Sequence, residues 1–394
     1  MTGRMDSILI FFHCASNTGY AIDSLEKSFL DMARKLVGSD SRIHLAYPDL
    51  ARGKSKQVPE DFQNLLAFDP TTREADRLEA LAGYLRRHGI DFALGVDQPP
   101  GRPYYPIMRR AGVEAIVAYW GAPMSSVTGG LRLLAKRLEI KLTRRMADHF
   151  IFESHAMART ATHGRGIPPE RVSIVHLGVD PCKYAPDRRS DGYLEREFGI
   201  PRNRRVAVYS GHFEERKGVE VLVRAAAELV DRRDRRDFHL LLLGNESRHE
   251  RPLLRLLEGT RARDHVTFGG YRSDVPDILP NCELGTIGSI GWDSFTMSSL
   301  EMAAAGLPLV VSDLQGLRET VEEGETGFLF PPGDHVSLAD RIETILDEPE
   351  RRAAMSSAAR RRILDHFTRR QQVDELARLC REVYESAARD RKST

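Results

Sequence analysis

The sequence predicts an α/β protein made of two Rossmann-like domains that face each other across a cleft. Short apolar runs alternate with amphipathic helical patterns along the chain, which is typical of parallel sheets joined by crossover helices. The pattern starts again at residue 206, after a stretch over 181–205 that is rich in charge, Pro and Gly. Because ligands bind at the carboxyl edges of such sheets, two domains in series predict a ligand site in the cleft.

The individual elements follow from the same patterns. The predicted strands cover residues 7–13, 43–47, 92–96, 115–119, 150–153 and 173–176, then 206–209, 240–243, 266–268, 284–287, 309–311 and 327–330. The predicted helices include residues 22–36, 73–87, 337–346 and 349–388. We therefore expect a first domain over 1–183, a linker over 184–205, a second domain over 206–365, and a helix with a polar tail over 366–394.

Composition limits the classes of function. The chain has 394 residues, 41% hydrophobic content and a net charge of +1. These values fit a globular protein and give no global field that would favour nucleic acid. The four cysteines are isolated, which predicts a reducing compartment and no zinc site. No apolar run is long enough to span a membrane, and we expect a cytoplasmic protein.

The run S-G-H-F-E-E-R-K-G, residues 210–218, lies between a predicted strand and a predicted helix. Gly211 permits a tight turn, and Arg216 and Lys217 bring two cations to the junction. Strand-to-helix junctions of this kind bind anions such as phosphate. A solvated loop with scattered charges explains the same residues equally well, since such junctions occur in every Rossmann-like domain.

The run D-S-F-T-M-S-S-L-E, residues 293–301, holds two carboxylates in a short apolar stretch. No basic residue lies three or four positions from Glu301, so a local ion pair does not explain it. One interpretation is a capping box, with Glu301 reaching back to Ser298 at the start of a helix over 299–305. The other starts the helix near Phe295, with Asp293 or its neighbour as the cap. The first N–H groups would then face an anion, and both carboxylates would accept from hydroxyls.

Further runs accompany these two motifs. They are L-L-L-G-N, V-T-F-G-G-Y, A-A-A-G-L-P-L-V-V-S-D and G-L-R-E-T-V-E-E-G-E-T-G-F-L-F-P-P-G-D in the second half, and F-I-F-E-S and G-I-P-P-E-R-V-S-I-V-H-L-G-V-D-P in the first. As an ordered set over most of residues 145–370, they resemble the retaining family-4 glycosyltransferases of the GT-B fold. The resemblance implies that the first domain binds the acceptor, that the second binds a nucleotide-sugar donor, and that the C-terminal helix crosses back to the first domain.

The resemblance also implies roles for single residues. Glu301 would accept from the ribose hydroxyls of the donor, Asp293 would face the sugar hydroxyls, and Lys217 would bind the donor phosphates. His212 stands where the family has an arginine, and these four residues are the expected catalytic set. The expected donor-binding residues are Gly211, Arg216, Gly244, Gly270, Tyr271, Phe295, Thr296 and Met297, with Gly270 and Tyr271 beside the nucleobase.

Three positions depart from the family pattern. Asp293 is one methylene shorter than the family's glutamate, and Thr296 replaces a glycine beside the diphosphate. His212 replaces a permanently charged guanidinium with an imidazole, a group whose pKa is typically about 6.5. We hypothesise that a protonated His212 contributes to donor binding, with Arg216 supplying a guanidinium from an adjacent position.

The activity implied by the resemblance is retaining transfer of a hexosyl or N-acetylhexosaminyl group from a nucleoside diphosphate sugar, with a UDP-sugar favoured. The acceptor would be a hydroxyl of a glycan, a glycolipid or a small natural product. The sequence has no D-x-D triplet, so we expect no metal and no cofactor, with Lys217 and helix amides stabilising the leaving diphosphate. A sugar-nucleotide epimerase and a non-catalytic sugar-nucleotide-binding protein remain alternatives, whereas a dehydrogenase would need a G-x-G-x-x-G that the chain lacks.

Four residues are candidates on the acceptor side. Asn17, Thr18 and Gly19 follow the first strand, where the family often has paired glycines, and the two polar side chains are expected to bond to hydroxyls. Trp120 lies where the family often has a histidine. Its ring is expected either to stack on a sugar or to pack as a core or cleft-wall aromatic, and we favour packing.

The segment L-R-L-L-A-K-R-L-E-I-K-L-T-R-R-M, residues 131–146, predicts a basic amphipathic helix. Such a helix is able to dock on anionic lipid, which would make the protein peripheral at the inner membrane face. The alternative is a helix packed on the first sheet with a solvated polar face, and we favour it because one apolar face suffices for packing.

Overall fold

The computed structural model describes residues 5–143, 145–244 and 250–392. It contains two compact α/β units, and the predicted fold class of two Rossmann-like domains is confirmed. The first unit holds the described residues up to His176 and from Arg370 onward, and the second holds Leu177–Arg369. Asn245 of the L-L-L-G-N run, Arg144 of the basic segment and the last two residues of the tail lie outside the described ranges.

The strands of the first unit are β1 (Ile8–Phe11), β2 (Ile43–Tyr47), β3 (Leu65–Ala67), β4 (Phe92–Val96), β5 (Ala115–Trp120), β6 (His149–Phe152) and β7 (Val172–Ile174). Within the described residues they form one sheet in the order β3-β2-β1-β4-β5-β6-β7, and every pairing is parallel. This is the strand order of a doubly wound nucleotide-binding fold with one strand added.

The strands of the second unit are β8 (Arg205–Ser210), β9 (Phe238–Leu243), β10 (Val266–Gly270), β11 (Leu284–Ile287), β12 (Leu309–Ser312) and β13 (Gly327–Phe330). The described residues place them in a parallel sheet in the order β10-β9-β8-β11-β12-β13. Both sheets therefore have their first strand at the centre, with the chain winding first to one side and then to the other.

The helices that cover these sheets are α1 (Tyr20–Val37), α2 (Ala75–Arg87), α3 (Tyr104–Arg110), α4 (Gly130–Leu142), α5 (His155–Arg159), α6 (Tyr193–Phe198), α7 (Val219–Ala227), α8 (Glu250–Leu256), α9 (Val275–Ile278), α10 (Met297–Ala304), α11 (His335–Asp347), α12 (Pro349–His366) and α13 (Arg369–Lys392). Single 3-10 turns occur at Asp40–Arg42, Pro169–Arg171, Pro186–Arg188, Glu215–Lys217, Arg261–His265, Leu279–Asn281 and Leu317–Thr320, and π-helical turns at Thr160–Arg165 and Glu228–Arg232.

Both faces of β1 are buried, which explains its continuous apolar sequence. Ile8 and Ile10 belong to a core that includes residues of α1 and α13, whereas Leu9 and Phe11 belong to a second core with residues of α2 and α3. In the second unit, residues of α7 and α11 pack with β8 and β9 in a core of their own. The carboxyl ends of the central strands are left for the loops that follow them.

The boundaries between the units differ from the predicted domain boundaries. The N–H of Val179 donates to the carbonyl of Phe367 at 2.9 Å, and the N–H of Arg369 donates to the carbonyl of Val179 at 2.8 Å. These bonds attach residues 177–183 to the second unit, and the expected linker over 184–205 also lies in that unit and contains α6. The chain therefore divides after His176 and after Arg369 rather than at residues 183 and 365.

Two elements also differ from prediction. The sequence does not predict β3, because this strand has three half-exposed or exposed residues at the sheet edge and no long apolar run. The helix predicted over 349–388 is two helices, α12 and α13. The break occurs where Phe367 bonds through its carbonyl to Val179 instead of continuing the helical pattern.

The helix α4 differs in part from the favoured expectation of a helix packed on the first sheet. Ile140 is its one buried residue, and four leucines of the helix are exposed. The helix therefore packs on the first unit through Ile140, while the four leucines of its apolar face are turned to solvent. Separately, no helix in the described part of the chain is both long and apolar enough to cross a bilayer.

Candidate functional site

Both sheets reverse their winding direction at one place. In the first sheet this place is between β1 and β4, and in the second it is between β8 and β11. Such a switch point leaves a crevice beyond the carboxyl ends of the two strands, where ligands of α/β proteins bind. The loops after these four strands therefore define two candidate sites, one in each unit.

The candidate site of the second unit is centred on a buried ion pair between Lys217, after β8, and Asp293, after β11. The Nζ of Lys217 donates to Oδ1 of Asp293 at 3.0 Å and to Oδ2 at 2.9 Å. The hydroxyl of Ser289 donates to Oδ2 at 2.6 Å, and the N–H of Ser294 donates to Oδ1 at 3.1 Å. A carboxylate offers about four acceptor positions, so the donors of the protein fill them.

This pair can act on an anion through the lysine. The side chains of Lys217 and Asp293 are 13% and 6% exposed, so water screens their charges poorly. An ammonium has three N–H donors, and two of those of Lys217 are directed at Asp293. A metal ion at Asp293 would have to displace Lys217, whereas a phosphate could approach the remaining donor without breaking the pair.

Glycines allow the two loops of this site to touch through their backbones. A Cβ on Gly218 would lie 1.9 Å from the carbonyl oxygen of Gly288, and Gly218 has a positive φ of 60°. The N–H groups of Ile290 and Gly291 both donate to the carbonyl of Arg216, at 2.9 and 3.1 Å. The loop after β8 and the loop after β11 are therefore joined by backbone contacts that fix Lys217 against Asp293.

A stacked cation lies beside the buried pair. The guanidinium carbon of Arg216 lies 4.4 Å from the centre of the Trp292 ring, and its Nε donates to Glu214 at 2.8 Å. The indole of Trp292 is 40% exposed, so the stack lies at the surface of the site. Arg216 thus presents a permanent charge at the surface of the site, next to Lys217 in the chain.

Three of the predicted donor-binding glycines lie together at the carboxyl ends of β8, β9 and β10. The N–H of Gly244 donates to the carbonyl of Gly270 at 2.9 Å, and a Cβ on Gly244 would lie 2.0 Å from the carbonyl oxygen of Gly211. Gly270 has a φ of 67°, and Tyr271 beyond it is exposed. Contact with protein atoms explains the absence of side chains at Gly211 and Gly244, whereas the open space around Gly270 leaves room for a ligand to approach the strand end closely.

The structure places His212 at the surface next to this cluster. Its side chain is exposed, while its backbone carbonyl accepts from the Tyr209 hydroxyl at 2.7 Å. Burial raises the pKa of Tyr209 above its usual range, and the charge of Asp293 raises it further. Tyr209 is therefore a neutral donor that fixes the loop, and His212 is free to point its ring into solvent or toward a ligand.

The helix α10 begins at neither of the two predicted positions. It starts at Met297 with Thr296 as the N-cap residue, and no side chain caps it. The capping box is therefore wrong, because Ser298 lies inside the helix. The alternative start near Phe295 is wrong by two residues, because Thr296 has an extended backbone with φ −83° and ψ 127° and the helix begins only after it. Thr296 and Met297, both half-exposed, remain at the open end of the helix.

Glu301 lies in the second turn of α10 and is buried. Five of the other seven residues of α10 are buried as well, so the carboxylate of Glu301 lies on a mostly buried helix. Burying a carboxylate is costly unless it is paired or hydrogen-bonded. Its burial fits a residue with a specific partner rather than a solvated surface charge.

The candidate site of the first unit also has a pair of titratable side chains across its switch point. His13 follows β1 and Asp97 follows β4, and Nδ1 of His13 lies 3.4 Å from Oδ2 of Asp97. Asp97 has a positive φ of 53°, and its Oδ1 accepts from the N–H of Gly121 at 3.1 Å. Burial raises the pKa of the Asp97 carboxyl, while His13 and the Gly121 N–H oppose that shift.

The sequence patterns do not single out His13 and Asp97. His13 is the last residue of the predicted strand over 7–13, and Asp97 follows the predicted strand over 92–96. A position at the carboxyl end of a strand is the signal that could have identified both residues. Glu153 follows β6 at the same edge and is buried, and its Oε1 would lie 2.9 Å from a Cβ on Gly121. The edge therefore brings an imidazole and two carboxylates around a glycine that allows close approach.

The predicted acceptor-side residues are placed less favourably. The amide of Asn17 donates to the carbonyls of Arg52 and Lys54, at 3.0 and 2.9 Å, and accepts from the Lys56 N–H at 3.3 Å. Three of its four hydrogen-bonding positions are thus used to hold a neighbouring loop. The hydroxyl of Thr18 donates to its own loop, at the carbonyl of Ala15.

Gly19 and Trp120 differ in exposure. Gly19 has a φ of 146°, begins α1 and is exposed, with open space around the position of a Cβ. Trp120 is 8% exposed and packs in the core on one face of the first sheet, and its buried Nε1 has no hydrogen-bond partner among the described residues. Packing is therefore the better description of Trp120, and its ring faces are not open for stacking on a sugar.

Family models match both halves of the chain. A model of Glycosyltransferase Family 4 matches residues 25–183, and a model of the Glycosyl transferases group 1 matches residues 193–362. The two matches together span most of the sequence. The first covers most of the first α/β unit and ends within residues 177–183 of the second, and the other lies within the second unit. The chain belongs to the family-4 glycosyltransferases of the GT-B fold.

Individual relatives agree with this family. The sequence is 32% identical over 221 residues to the α-D-kanosaminyltransferase of Streptomyces kanamyceticus, covering 55% of this chain and 56% of that protein. It is 27% identical over 214 residues to the N-acetyl-α-D-glucosaminyl L-malate synthase of Bacillus anthracis, covering 54% of each. The chain thus spans about half the length of the curated relatives it matches.

Solved structures agree on the fold. A glycosyltransferase from Rickettsia africae superposes with a TM-score of 0.77 at 15% identity, covering 96% of this chain and 98% of that one. HepE from Anabaena, solved in complex with UDP, superposes with a TM-score of 0.72 at 18% identity, covering 95% and 99% of the two chains.

Proposed function

We propose that this protein is a retaining glycosyltransferase that moves a sugar from a nucleoside diphosphate sugar, preferably a UDP-sugar, to a hydroxyl of an acceptor. The observation that carries the proposal is the buried Lys217–Asp293 pair across the switch point of the second unit. Beside it lie a half-exposed, stacked Arg216 and the glycine backbone of three strand ends. Cations and close backbone approach are what a diphosphate and its nucleoside require.

In this proposal Lys217 stabilises the charge that develops on the leaving diphosphate. Its position is set before the donor arrives, because Asp293 holds two of its N–H donors. A preorganised cation in a site that excludes water stabilises a transition state without reorganisation during the reaction. The guanidinium of Arg216 and the ring of His212 would bind the more exposed phosphate of the donor. In this proposal no metal or cofactor is required.

Asp293 takes a more specific role than the sugar contact expected from the family pattern. Its acceptor positions are filled by Lys217, Ser289 and Ser294, so a sugar hydroxyl would have to displace one of these donors. We therefore assign Asp293 as the positioning residue for Lys217. Glu301 keeps its proposed role as acceptor for the ribose hydroxyls.

The acceptor hydroxyl would bind at the switch point of the first unit. His13 and Asp97 form a pair there, and an imidazole backed by a carboxylate is able to hold and polarise a hydroxyl. The transfer can still proceed with retention, since the departing phosphate oxygen is able to take the proton. A hexosyl or N-acetylhexosaminyl group and an acceptor glycan, glycolipid or small natural product are consistent with this arrangement.

One of the relatives favours a small acceptor, because its name contains malate. The exposed leucines of α4 favour a lipid-linked one. We propose a cytoplasmic enzyme with peripheral contact at the inner membrane face through residues 131–146. No nucleic-acid partner is proposed.

Donor hydrolysis measured across UDP-, GDP- and ADP-sugars tests the proposal, with the anomeric configuration of the glycoside read by NMR. We expect one nucleotide class to be hydrolysed and the product to keep the configuration of the donor. Interconversion of the sugar without release of nucleotide would indicate an epimerase, and binding without turnover would indicate a binding protein. If a protonated His212 contributes to donor binding, the wild type should bind the donor more tightly below neutral pH. An H212A variant with the same pH dependence would show that His212 does not bind the donor.

A further inference from the structure

The helix α4 has two faces with opposite surroundings. Its inner face is attached to the first unit: Ile140 is buried, the Nζ of Lys136 donates to the Ser125 hydroxyl at 3.2 Å, and Glu139 accepts two hydrogen bonds from Arg165, at 2.9 and 2.7 Å. The helix is therefore held in place by polar contacts and one apolar anchor, and its other face is turned outward.

The outward face is a stripe of leucines. Leu131, Leu134, Leu138 and Leu142 are 84%, 62%, 57% and 75% exposed. Their spacing of three, four and four residues places all four on one side of the helix. A single exposed leucine is ordinary on a protein surface, but a contiguous apolar stripe marks an interaction site.

Cations border this stripe. Arg132, Arg137 and Lys141 are exposed, and none of the three forms an ion pair with any residue in the described part of the chain. The one acidic residue of the helix, Glu139, is already paired with Arg165. An apolar stripe flanked by uncompensated cations is the pattern of a helix that lies in the interface of an anionic bilayer.

The same charges argue against a second copy of this chain as the occupant. A two-fold symmetric contact through the leucine stripe would bring the cations of one helix against those of the other. Anionic lipid removes this conflict, because its headgroups supply the opposite charge. The complementary partner is therefore a lipid surface rather than another α4.

We propose that the leucine stripe of α4 is a docking surface for a bilayer containing anionic lipid, with the four leucines inserted among the acyl chains and Arg132, Arg137 and Lys141 at the headgroups. Docking would hold the first unit, which carries the proposed acceptor pair His13–Asp97, at the membrane surface. The inference rests on the proposed function only for this consequence, because binding to lipid does not require turnover.

Co-sedimentation with vesicles tests the proposal, using phosphatidylglycerol mixed with phosphatidylcholine and, separately, phosphatidylcholine alone. We expect binding to the mixed vesicles and weak binding to the neutral ones, with the difference reduced at high salt. The L134S/L138S variant should bind at least tenfold more weakly. The R137E/K141E variant should lose the preference for phosphatidylglycerol, at about fivefold or more per charge.

The matched control is L364S, which replaces an exposed leucine of α12 in the second unit and should bind like the wild type. Circular dichroism and the thermal midpoint establish that each variant is folded. Equal vesicle binding by the wild type and L134S/L138S would overturn the proposal. The proposal would also be overturned if the wild type bound no vesicles and formed a dimer that the L134S/L138S substitutions dissociate. Donor hydrolysis without vesicles separates the two proposals, since L134S/L138S should retain it.

Discussion

Lys217 and Asp293 are 76 positions apart in the chain, yet the ammonium of one donates to both carboxylate oxygens of the other. The two residues belong to loops after β8 and β11, which are neighbours only because the sheet reverses its winding there. The pair is thus a direct product of the topology, and the proposed donor site depends on it.

Replacing Asp293 by Asn should abolish transfer and destabilise the second unit. The variant leaves the buried Lys217 without its counter-charge, and breaking a buried pair costs on the order of 3 kcal/mol. Denaturant unfolding measures the loss of stability, and steady-state kinetics should show a fall in kcat of at least about a hundredfold. The double variant K217M/D293N is the control: stability should recover, because no charge is left uncompensated, while activity stays lost. If K217M/D293N unfolds no later than D293N, the ion pair does not determine the stability of the site.

Replacing Gly218 by Ala should disrupt the site more than an equivalent change elsewhere. Gly218 and Gly259 both have positive φ, at 60° and 74°, but only Gly218 has a neighbouring carbonyl at the position of a Cβ. We expect G259A to cost about 1 kcal/mol of unfolding free energy and G218A clearly more, with donor binding weakened only in G218A. Thermal unfolding and donor titration measure the two effects, and equal losses in both variants would contradict the backbone contact.

Replacing Arg216 by Ala should raise KM for the donor by roughly tenfold without changing the thermal midpoint by more than a few degrees. The guanidinium lies at the surface over Trp292, so its removal leaves no cavity in the core. R224A is the matched control, because Arg224 pairs with Glu220 on the exposed side of α7. Similar KM values for R216A and the wild type would remove Arg216 from the donor site.

Replacing Asp97 by Asn should reduce transfer to the acceptor by a factor of about ten to a hundred, while hydrolysis of the donor by water is retained. The substitution removes the carboxylate that faces Nδ1 of His13, and both residues lie in the first unit. H13Q should behave in the same way, whereas H163Q, a change of an exposed histidine in the same unit, should be neutral. Parallel losses of transfer and hydrolysis would indicate a structural role for the pair.

The buried carboxyl of Glu26 should make the stability of the first unit fall as the pH rises. Burial raises its pKa from 4.5 to about 7, although the Ser55 hydroxyl donates to it at 2.5 Å. Between these values the folded state binds the proton and the unfolded state releases it, so stability is present below pH 4.5 and lost as the pH passes 7, by about 3 kcal/mol.

The E26Q variant isolates this effect, because the amide stays neutral at every pH. The difference in unfolding free energy between wild type and E26Q should shift against the wild type between pH 5 and pH 8, by about 3 kcal/mol. Burial lowers the pKa of His44 to about 4, which acts in the opposite direction below pH 6.5 but is common to both proteins. A difference that is constant with pH would show that Glu26 keeps its charge when buried.

The sequence predicts best the strands that are buried on both faces, because these appear as mostly apolar runs. The residues 43–47, 92–96, 284–287 and 327–330 are strands with the predicted bounds. The sequence does not predict β3 because this strand is short and lies at the sheet edge. It does not predict the division of 349–388 because the helix is ended by a hydrogen bond to Val179, which is far away in sequence. Local patterns contain no signal for either.

The site follows the same rule. Gly211, Lys217, Gly244 and Gly270 lie at strand ends or in the loops that follow them, where the order of elements predicts a site. The expected partner of Asp293 was a sugar hydroxyl, whereas the structure pairs its carboxylate with Lys217 on another loop. The leucines of α4 show a further limit: periodicity identifies an apolar face but does not say whether that face is covered. His13 and Asp97 carry no motif, and only the sheet order brings them together.

The contact of Gly218 with Gly288 also divides the site into parts that tolerate change differently. Because the backbones of the two glycines are in contact, neither position has space for a side chain. We expect substitutions at these positions to be absent from functional variants. The exposed side chains at the rim, His212, Trp292 and Tyr271, can be exchanged without moving those backbones. Donor preference in this protein should therefore be re-engineered, and should have diversified among its relatives, through the rim rather than through the loops that carry it.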